Sequence, residues 1–313
     1  MKLRNLVIAS LAGLTALGFS GCAGSGTASS SAPASSQAAV TSSAASSQEA
    51  TASSAASAEA VSGSIPTPSG SDTTITIGVT PIPHGEIVDN VVKPALEKVG
   101  WKVKVVEFND YVQPNTALES GDLDANYFQT TRYLEEENQK RRLHLVSIAP
   151  IHLEPMGLYS KTIKSVSALK DGSSIAIPND GSNESRAIQL LADNGLIKVD
   201  KADLLTTKNI TSNPHNFKFV EVEAANLVRT LDDVNAAVIN GNYALQAKFN
   251  PATDALIKES SDSKTSVQYF NDLVVKQGNE NTAKTQALKV ALTSQAVKDY
   301  IEKSYKGSVI PAF

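Results

Sequence analysis

An alternation of apolar strands with helices most constrains what this chain can fold into. It runs once from about residue 74 to 150 and starts again near residue 173. In "TTITIGVT", Ile75, Ile77 and Val79 repeat with period two, the mark of a half-buried strand. A helical face follows, with Val88, Val91, Val92, Ala95 and Val99 on one side and Gly100 as its stop. Pro94 lies inside that face and predicts a kink or a break, because its ring removes a donor and crowds the preceding turn. "WKVKVVEF" reads as the second strand, Asn109-Asp110-Tyr111 as a loop, Pro114 to Ser120 as a short helix, and "DLDANYF" as the third strand. Residues 129 to 142 read as a charged surface helix and "LHLVSIAP" as another strand. A β-α-β order of this kind implies a parallel sheet covered by helices.

The second round has the same order without a residue-level repeat. "SSIAIPND" is a strand, Asn183 to Asn194 a helix, "FKFVEVE" a strand, Asn226 to Asp232 a short helix and "AAVING" a strand. "VQYFNDLVVKQ" is a last strand, and residues 280 to 304 are helical. Two α/β units in succession, in a body from residue 73 to 313 large enough for two cores, predict two lobes with a cleft between them. Ligands of open α/β sheets bind outside the carboxyl ends of the strands, so the residues just after each strand are the ones to inspect.

The ends of the chain are of another kind. Lys2 and Arg4 precede an apolar run from Leu6 to Phe19 that is short for a spanning helix. It ends in Phe19-Ser20-Gly21-Cys22, and Cys22 is the only cysteine, so no intrachain disulfide can form. Small residues before a cysteine at that place resemble a bacterial lipobox, with Phe19 departing from the usual Leu; the resemblance implies cleavage and lipidation at Cys22. Residues 1–22 are therefore expected to be a lipoprotein signal peptide, with an ordinary secretory signal as the alternative.

Residues 23–72 are rich in Ser, Ala, Thr and Gly and carry only Glu49, Glu59 and Asp72 as charges. A chain so poor in apolar bulk cannot offset its ordering entropy, which predicts a disordered tether with a reach of roughly 40 Å. Removal of Lys2 and Arg4 leaves 26 basic against 32 acidic side chains, a net charge of −6. That balance speaks against nucleic acid or an anionic membrane surface as a partner.

The strand ends share one chemistry. They carry Pro83-His84-Gly85-Glu86, Asn109-Asp110-Tyr111 and Asn126-Tyr127-Phe128-Gln129-Thr130 in the first half. In the second half they carry Asn179 to Asn183 with Arg186, then Asn226, then Asn240-Gly241-Asn242-Tyr243. Amides donate and accept, aromatics wall an apolar slot, and a guanidinium grips a carboxylate with two parallel hydrogen bonds. Arg186 stands out because it sits in the first turn of a helix, where the helix dipole disfavours a cation. Taken singly, Asn109, Asp180 and Asn242 are turn formers, Tyr111 and Phe128 fit a core equally well, His84 suits a helix cap, and Arg186 can pair with Glu184 or Asp180 at the surface.

Catalysis is poorly served. There is no G-x-S-x-G elbow, no cysteine beyond Cys22, no H-E-x-x-H and no Walker A sequence. His84, His144, His152 and His215 lack metal-ligand spacing in the sequence, so no metal and no cofactor is expected. Asp122 and Asp124 read as solvated carboxylates near a turn, and Glu135-Glu136-Glu137 with Lys140-Arg141-Arg142 as a solvated helix face.

The strings "FNDYVQPNTALESGDLDANYFQ", "GLYSKTIKSVSALKDGSSIAIPND", "NGLIK" and "RTLDDVNAAVINGNYA" resemble the NlpA lipoprotein family, whose best-known members are methionine-binding proteins of ABC importers. The resemblance runs from about residue 74 to the C-terminus. It implies a periplasmic-binding-protein fold of two α/β lobes, residues 73–155 plus 265–313 and residues 156–264, with the C-terminal segment returning to the first. It also implies a monomer without enzymatic activity, anchored outside the cytoplasm by lipid on Cys22, that closes on one amino acid and presents it to an ABC permease and its ATPase. The family's ligand contacts carry over to Tyr111, Phe128, Asn183, Arg186 and Asn240, with Arg186 on the carboxylate, the two asparagines on the amino and carboxylate groups, and the aromatics around a thioether. Thr130 stands where many methionine-binding members have His, which widens the pocket and admits another amino acid or a short peptide as the alternative ligand. An extracytoplasmic hydrolase and a surface lipoprotein without a transport role are the rival classes.

Overall fold

The computed structural model describes residues 63–261 and 266–313; the expected signal segment, Cys22 and the tether as far as residue 62 lie outside the described residues. Thirteen strands are described: β1 (Thr74–Val79), β2 (Lys102–Glu107), β3 (Ala125–Thr130), β4 (Leu145–Leu153), β5 (Gly157–Tyr159), β6 (Ser174–Pro178), β7 (Lys198–Val199), β8 (Ile210–Ser212), β9 (Lys218–Val222), β10 (Ala236–Ile239), β11 (Ile257–Lys258), β12 (Phe270–Lys276) and β13 (Ile310–Pro311). The α-helices are α1 (Lys93–Lys98), α2 (Gln113–Ser120), α3 (Thr131–Arg141), α4 (Gly181–Asp193), α5 (Leu227–Thr230), α6 (Gly241–Gln246), α7 (Ala283–Leu292) and α8 (Gln295–Tyr305).

Eleven of the strands build two sheets, and β7 and β8 pair as a separate two-stranded ribbon. The six-stranded sheet has the order β13-β4-β12-β3-β1-β2, and the five-stranded sheet the order β11-β5-β10-β6-β9. In each, three strands joined through helices run parallel, as the β-α-β order requires: β3-β1-β2 in the first and β10-β6-β9 in the second. The later strands add antiparallel neighbours, β12 against both β3 and β4, and β5 against β10. The chain leaves the first sheet after Leu153, enters the second at Gly157, and returns between Lys258 and Phe270. β13 then pairs with β4, bringing the C-terminus back to the first sheet.

Each sheet has its own core. Ile75, Ile77, Val79, Trp101, Ile151, Leu273 and Leu288 are buried together around the first. Leu158, Ile175, Ile177, Ile188, Leu191 and Val238 do the same on one face of the second, and Tyr159, Ala176, Leu227, Ile239 and Tyr243 on the other. Strand β10 is buried along its whole length, which is why it reads as a continuous apolar run, whereas the equally buried β3 carries Asn126 and Gln129, which are hydrogen-bonded to each other and to Asn115.

One open reading is resolved and one expectation changes. The helix around Pro94 is kinked and not broken: a wide turn over Val88–Val92, closed by the Lys93 N–H on the Val88 carbonyl, precedes Pro94 in the first turn of α1. Widening the turn there accommodates the proline ring, whose missing donor is a normal orphan at a helix start. The tether expected to extend to residue 72 gives up its last residues to the body. Ile65 packs on the first core, the Trp101 indole N–H donates to the Pro66 carbonyl at 2.7 Å, and Pro68 lies against Gly100.

Candidate functional site

The strand ends of the two sheets face one another across a pocket. Tyr111, Phe128, Gln129, Thr130, Tyr133 and Asn271 line it from the first sheet's side, and Asn183, Arg186, Asn240, Gly241 and Asn242 from the second's, with Glu154 at the crossing between them. All six candidate ligand-binding residues, Tyr111, Phe128, Thr130, Asn183, Arg186 and Asn240, therefore meet in one place. Asn109 touches the far side only through its carbonyl, which accepts the Tyr243 hydroxyl at 3.1 Å, and Asn226 does not line the pocket.

Three aromatic rings make one wall. Tyr111 lies 5.9 Å from Phe128 and 5.7 Å from Tyr133, centroid to centroid, with Tyr243 stacked at 5.0 Å behind it. The Tyr111 hydroxyl donates across the cleft to Asn242 Oδ1 at 2.5 Å. Burial pushes the Tyr111 phenol well above its ordinary pKa, with Tyr243 and Glu154 adding to the shift, so it stays a neutral donor. Thr130 closes β3 and caps α3, its hydroxyl accepting the Tyr133 N–H at 3.3 Å.

The polar floor comes from α4 and the turn after β10. Asp180 caps α4, accepting the Asn183 backbone N–H at 2.9 Å and its side-chain amide at 2.8 Å. Asn183 Oδ1 in turn accepts the Asn240 side-chain N–H at 2.7 Å. This chain of hydrogen bonds fixes both amides and leaves two buried atoms without a partner, the acceptor Asn240 Oδ1 and the donor Asn242 Nδ2. Buried polar atoms are nearly always satisfied, so two such atoms in one pocket are open to polar groups from outside the chain.

Arg186 is buried, and neither Glu184 nor Asp180 is its partner. Glu259, just beyond β11, takes Nε at 2.7 Å and Nη2 at 2.6 Å, and Nη2 also donates to the Glu154 carbonyl at 2.8 Å. The guanidinium lies 4.4 Å from the centre of the Tyr269 ring. Burial disfavours its charge, but Glu259 outweighs this and leaves its pKa above the ordinary value. The fork expected to hold a ligand carboxylate is thus held by an internal one, and Nη1 is the nitrogen without a partner among the described residues. Glu259 and Tyr269 carry no sign of this role in the sequence, since they sit 73 and 83 residues from Arg186 in polar surroundings.

Behind the pocket lies a buried cluster that sequence spacing hid: His84, His152 and Glu154 present ligand-type atoms within 4.8 Å of one another. His152 Nε2 is 2.7 Å from Glu154 Oε1, whereas two ligands about 2.1 Å from a tetrahedral zinc stand about 3.3 Å apart. The spacing is that of a hydrogen-bonded relay and not of a metal centre. Partners set the tautomers: the Tyr127 hydroxyl donates to His152 Nδ1, leaving Nε2–H for Glu154. Thr80 Oγ1 lies 2.7 Å from His84 Nδ1, and His84 Nε2–H donates to Asn271 Oδ1 at 3.0 Å. His84 is a relay member and not the simple helix cap it resembles in sequence.

The charged face of α3 is also reassigned. Glu136, read as solvated, accepts the Gly181 N–H at 3.1 Å and the Ser182 N–H at 2.6 Å, joining α3 to the start of α4 across the cleft. Glu137 is buried, with Arg141 Nη1 at 3.2 Å. A Cβ on Gly181 would stand 2.7 Å from Glu136 Oε1, so a larger residue there would displace the Glu136 carboxylate from its contact.

Two α/β lobes with a ligand cleft between them, formed by strand ends and crossed by the chain at the cleft's base, define the substrate-binding-protein fold. Comparison with known proteins agrees. The NlpA lipoprotein family model matches residues 75–313, and the chain belongs to that family. It is 40% identical over 240 residues to the D-methionine-binding lipoprotein MetQ of Salmonella typhi, covering 75% of this chain and 87% of the relative. A nutrient-binding protein from Burkholderia cenocepacia, solved with methionine bound, is 42% identical with a TM-score of 0.72 over 76% of this chain and all of that one. A periplasmic substrate-binding protein of an ABC transporter from Coxiella burnetii is 38% identical with a TM-score of 0.71, over 76% of this chain and 99% of that chain.

Proposed function

We propose that this chain is the lipid-anchored substrate-binding protein of an amino-acid ABC importer, with methionine as its ligand. One observation carries the reading: a single pocket sets an aromatic wall of Tyr111, Phe128 and Tyr133 opposite a donor-acceptor floor of Asn183, Asn240, Asn242 and Arg186. An apolar side chain with a zwitterionic end is the complement of that pocket. The pocket is tight and walled from both sides, which suits one amino acid better than a peptide. The methionine-bound Burkholderia relative supports the choice of side chain, and a thioether against aromatic rings is a favourable contact.

Arg186 Nη1 and Asn242 Nδ2 donate to the ligand carboxylate, Asn240 Oδ1 accepts from the amino group, and the rings of Tyr111 and Phe128 enclose the side chain beside Thr130. Residues 73–155 with 265–313 move as one lobe and residues 156–264 as the other, hinging where the chain crosses. The ligand bridges both, and the closed form docks on the permease. No bond is made or broken, so the protein needs no catalyst, metal or cofactor. Cys22 carries the lipid anchor outside the cytoplasmic membrane, and the protein works as a monomer.

A thermal-shift screen of both enantiomers of the twenty amino acids, with di- and tripeptides, tests this reading. Methionine is expected to give the largest rise in Tm; a larger rise with a peptide, or none with any amino acid, would overturn it. Mass spectrometry of membrane-extracted protein tests the anchor by the mass of the peptide beginning at Cys22.

A further inference from the structure

Glu154 is the one acidic side chain lining the pocket, and it is buried on every side. The cations one would look for beside a buried carboxylate are committed elsewhere or neutral. Arg186 gives its fork to Glu259 and reaches only the main-chain carbonyl of Glu154. His84 Nε2 lies 3.4 Å and His152 Nε2 2.7 Å from Glu154 Oε1, and burial holds both imidazoles neutral, at about 4 and about 3. The remaining titratable groups facing it, Tyr111 and Tyr127, are kept neutral by burial too. The hydrogen bonds to it come from neutral donors, the His152 N–H and the Asn242 main-chain N–H; the Arg186 charge attracts it from a distance, yet burial still raises its pKa above the ordinary value. A buried carboxylate without a compensating cation is costly unless something supplies one.

The neighbourhood is shaped to keep it in place. Tyr127 orients His152, which orients Glu154. Gly241 packs so closely that a Cβ would stand 2.7 Å from Glu154 Cβ and 3.0 Å from Oε2. Beside Gly241, Asn240 Oδ1 is a second buried acceptor without a partner. Two acceptors in one corner, one of them a carboxylate, form the complement of a primary ammonium with three N–H donors.

We infer that Glu154 is the specificity-determining acceptor for the ligand's α-ammonium group, with His152 as its positioning residue. This rests on the amino-acid reading above and sharpens it: the pocket selects for the amine and not only for the carboxylate and side chain. It rejects the 2-hydroxy analogue of the same acid, which brings no positive charge to Glu154.

The test compares L-methionine with 2-hydroxy-4-(methylthio)butanoate by calorimetry, on wild type and on Glu154→Gln. Wild type is expected to prefer methionine by at least about 100-fold, as a charge-assisted hydrogen bond in a buried site allows. Glu154→Gln should lose that preference by about tenfold or more while its affinity for the hydroxy acid changes little. A variant that keeps the full preference overturns the assignment alone; wild type that binds neither compound overturns the amino-acid reading with it. Because the variant can misfold, a structure of the wild type with methionine provides a second check. The ammonium nitrogen should stand within hydrogen-bonding distance of the Glu154 carboxylate, and an ammonium held only by Asn183 and Asn240 would overturn the inference.

Discussion

Arg186 and Glu259 form a two-pronged ion pair, Nε to Oε1 at 2.7 Å and Nη2 to Oε2 at 2.6 Å, on the wall of the pocket. Glu259 thereby fixes the guanidinium plane and leaves one edge for a ligand. Removing Arg186 therefore does two things at once. Arg186→Ala should abolish measurable methionine binding and also destabilise the fold by about 3 kcal/mol, since it strands a largely buried carboxylate. Arg186→Met combined with Glu259→Gln should recover most of that stability and none of the affinity. Urea unfolding followed by calorimetry separates the two; a single variant of full stability would mean that the pair does not hold the wall.

The contact from Glu136 to the first N–H groups of α4 ties the lobes together on the closed side of the cleft. An acidic side chain at a helix N-terminus is favourable both by hydrogen bonding and by the dipole. Glu136→Ala should remove about 1 kcal/mol from the closed form and raise the methionine off-rate roughly fivefold, leaving the on-rate nearly unchanged. Gly181→Ala should give a similar effect by clash. Stopped-flow tryptophan fluorescence, reporting through Trp101, would show an unchanged off-rate if the lobes close without this contact.

The parts of the site that the sequence exposed are those set by local pattern. Tyr111, Asn183 and Asn240 follow strands and Phe128 lies in the last half of β3, and strand ends are readable from period and turn chemistry. Arg186 was conspicuous as a cation near a helix start, although α4 begins two residues earlier than the sequence suggests, at Gly181, and places Arg186 in its second turn. What stayed hidden depends on chain crossings. His84, His152 and Glu154 belong to a turn and to the end of β4, and only the pairing of β12 between β3 and β4 brings their surroundings together. Glu259 meets Arg186 because β11 pairs with β5 at the sheet edge, a two-residue strand with no period to read. Glu136 looked solvated because an isolated helix face says nothing about the lobe opposite.

Stability should depend on pH in opposite senses through two buried histidines and one buried aspartate. Burial pulls His84 down to about 4, against the attraction of Glu154, and His152 down to about 3. The unfolded chain takes up these protons near 6.5, so the folded state binds fewer, and stability is lost as pH falls from 6.5 toward 4. Asp272 behaves in reverse: burial pushes it up to about 7, despite hydrogen bonds from Thr131 and Ser147. Its contribution is present below its ordinary 3.8 and is lost as pH rises through 7. His152→Gln should flatten the acid side of the stability profile and Asp272→Asn the side between pH 4 and 7. Urea midpoints at four pH values from 4.5 to 7.5, on the order of one pH unit apart, decide it; slopes equal to wild type would mean that neither group titrates differently on unfolding.

Thr130 has two jobs that substitution can separate. Its hydroxyl caps α3 through the Tyr133 N–H, and its side chain lines the pocket. Thr130→Val keeps the shape and loses the cap, which should cost about 1 kcal/mol and lower Tm by roughly 2–4 °C, with methionine affinity held within about twofold. Thr130→His loses the cap as well but fills the wall with a ring. Its thermal-shift profile should then narrow, dropping bulky aromatic amino acids before methionine. If the histidine variant excluded methionine while Thr130→Val bound it normally, the thioether would have to lie against Thr130 itself, and the aromatic wall would be the wrong place for the side chain.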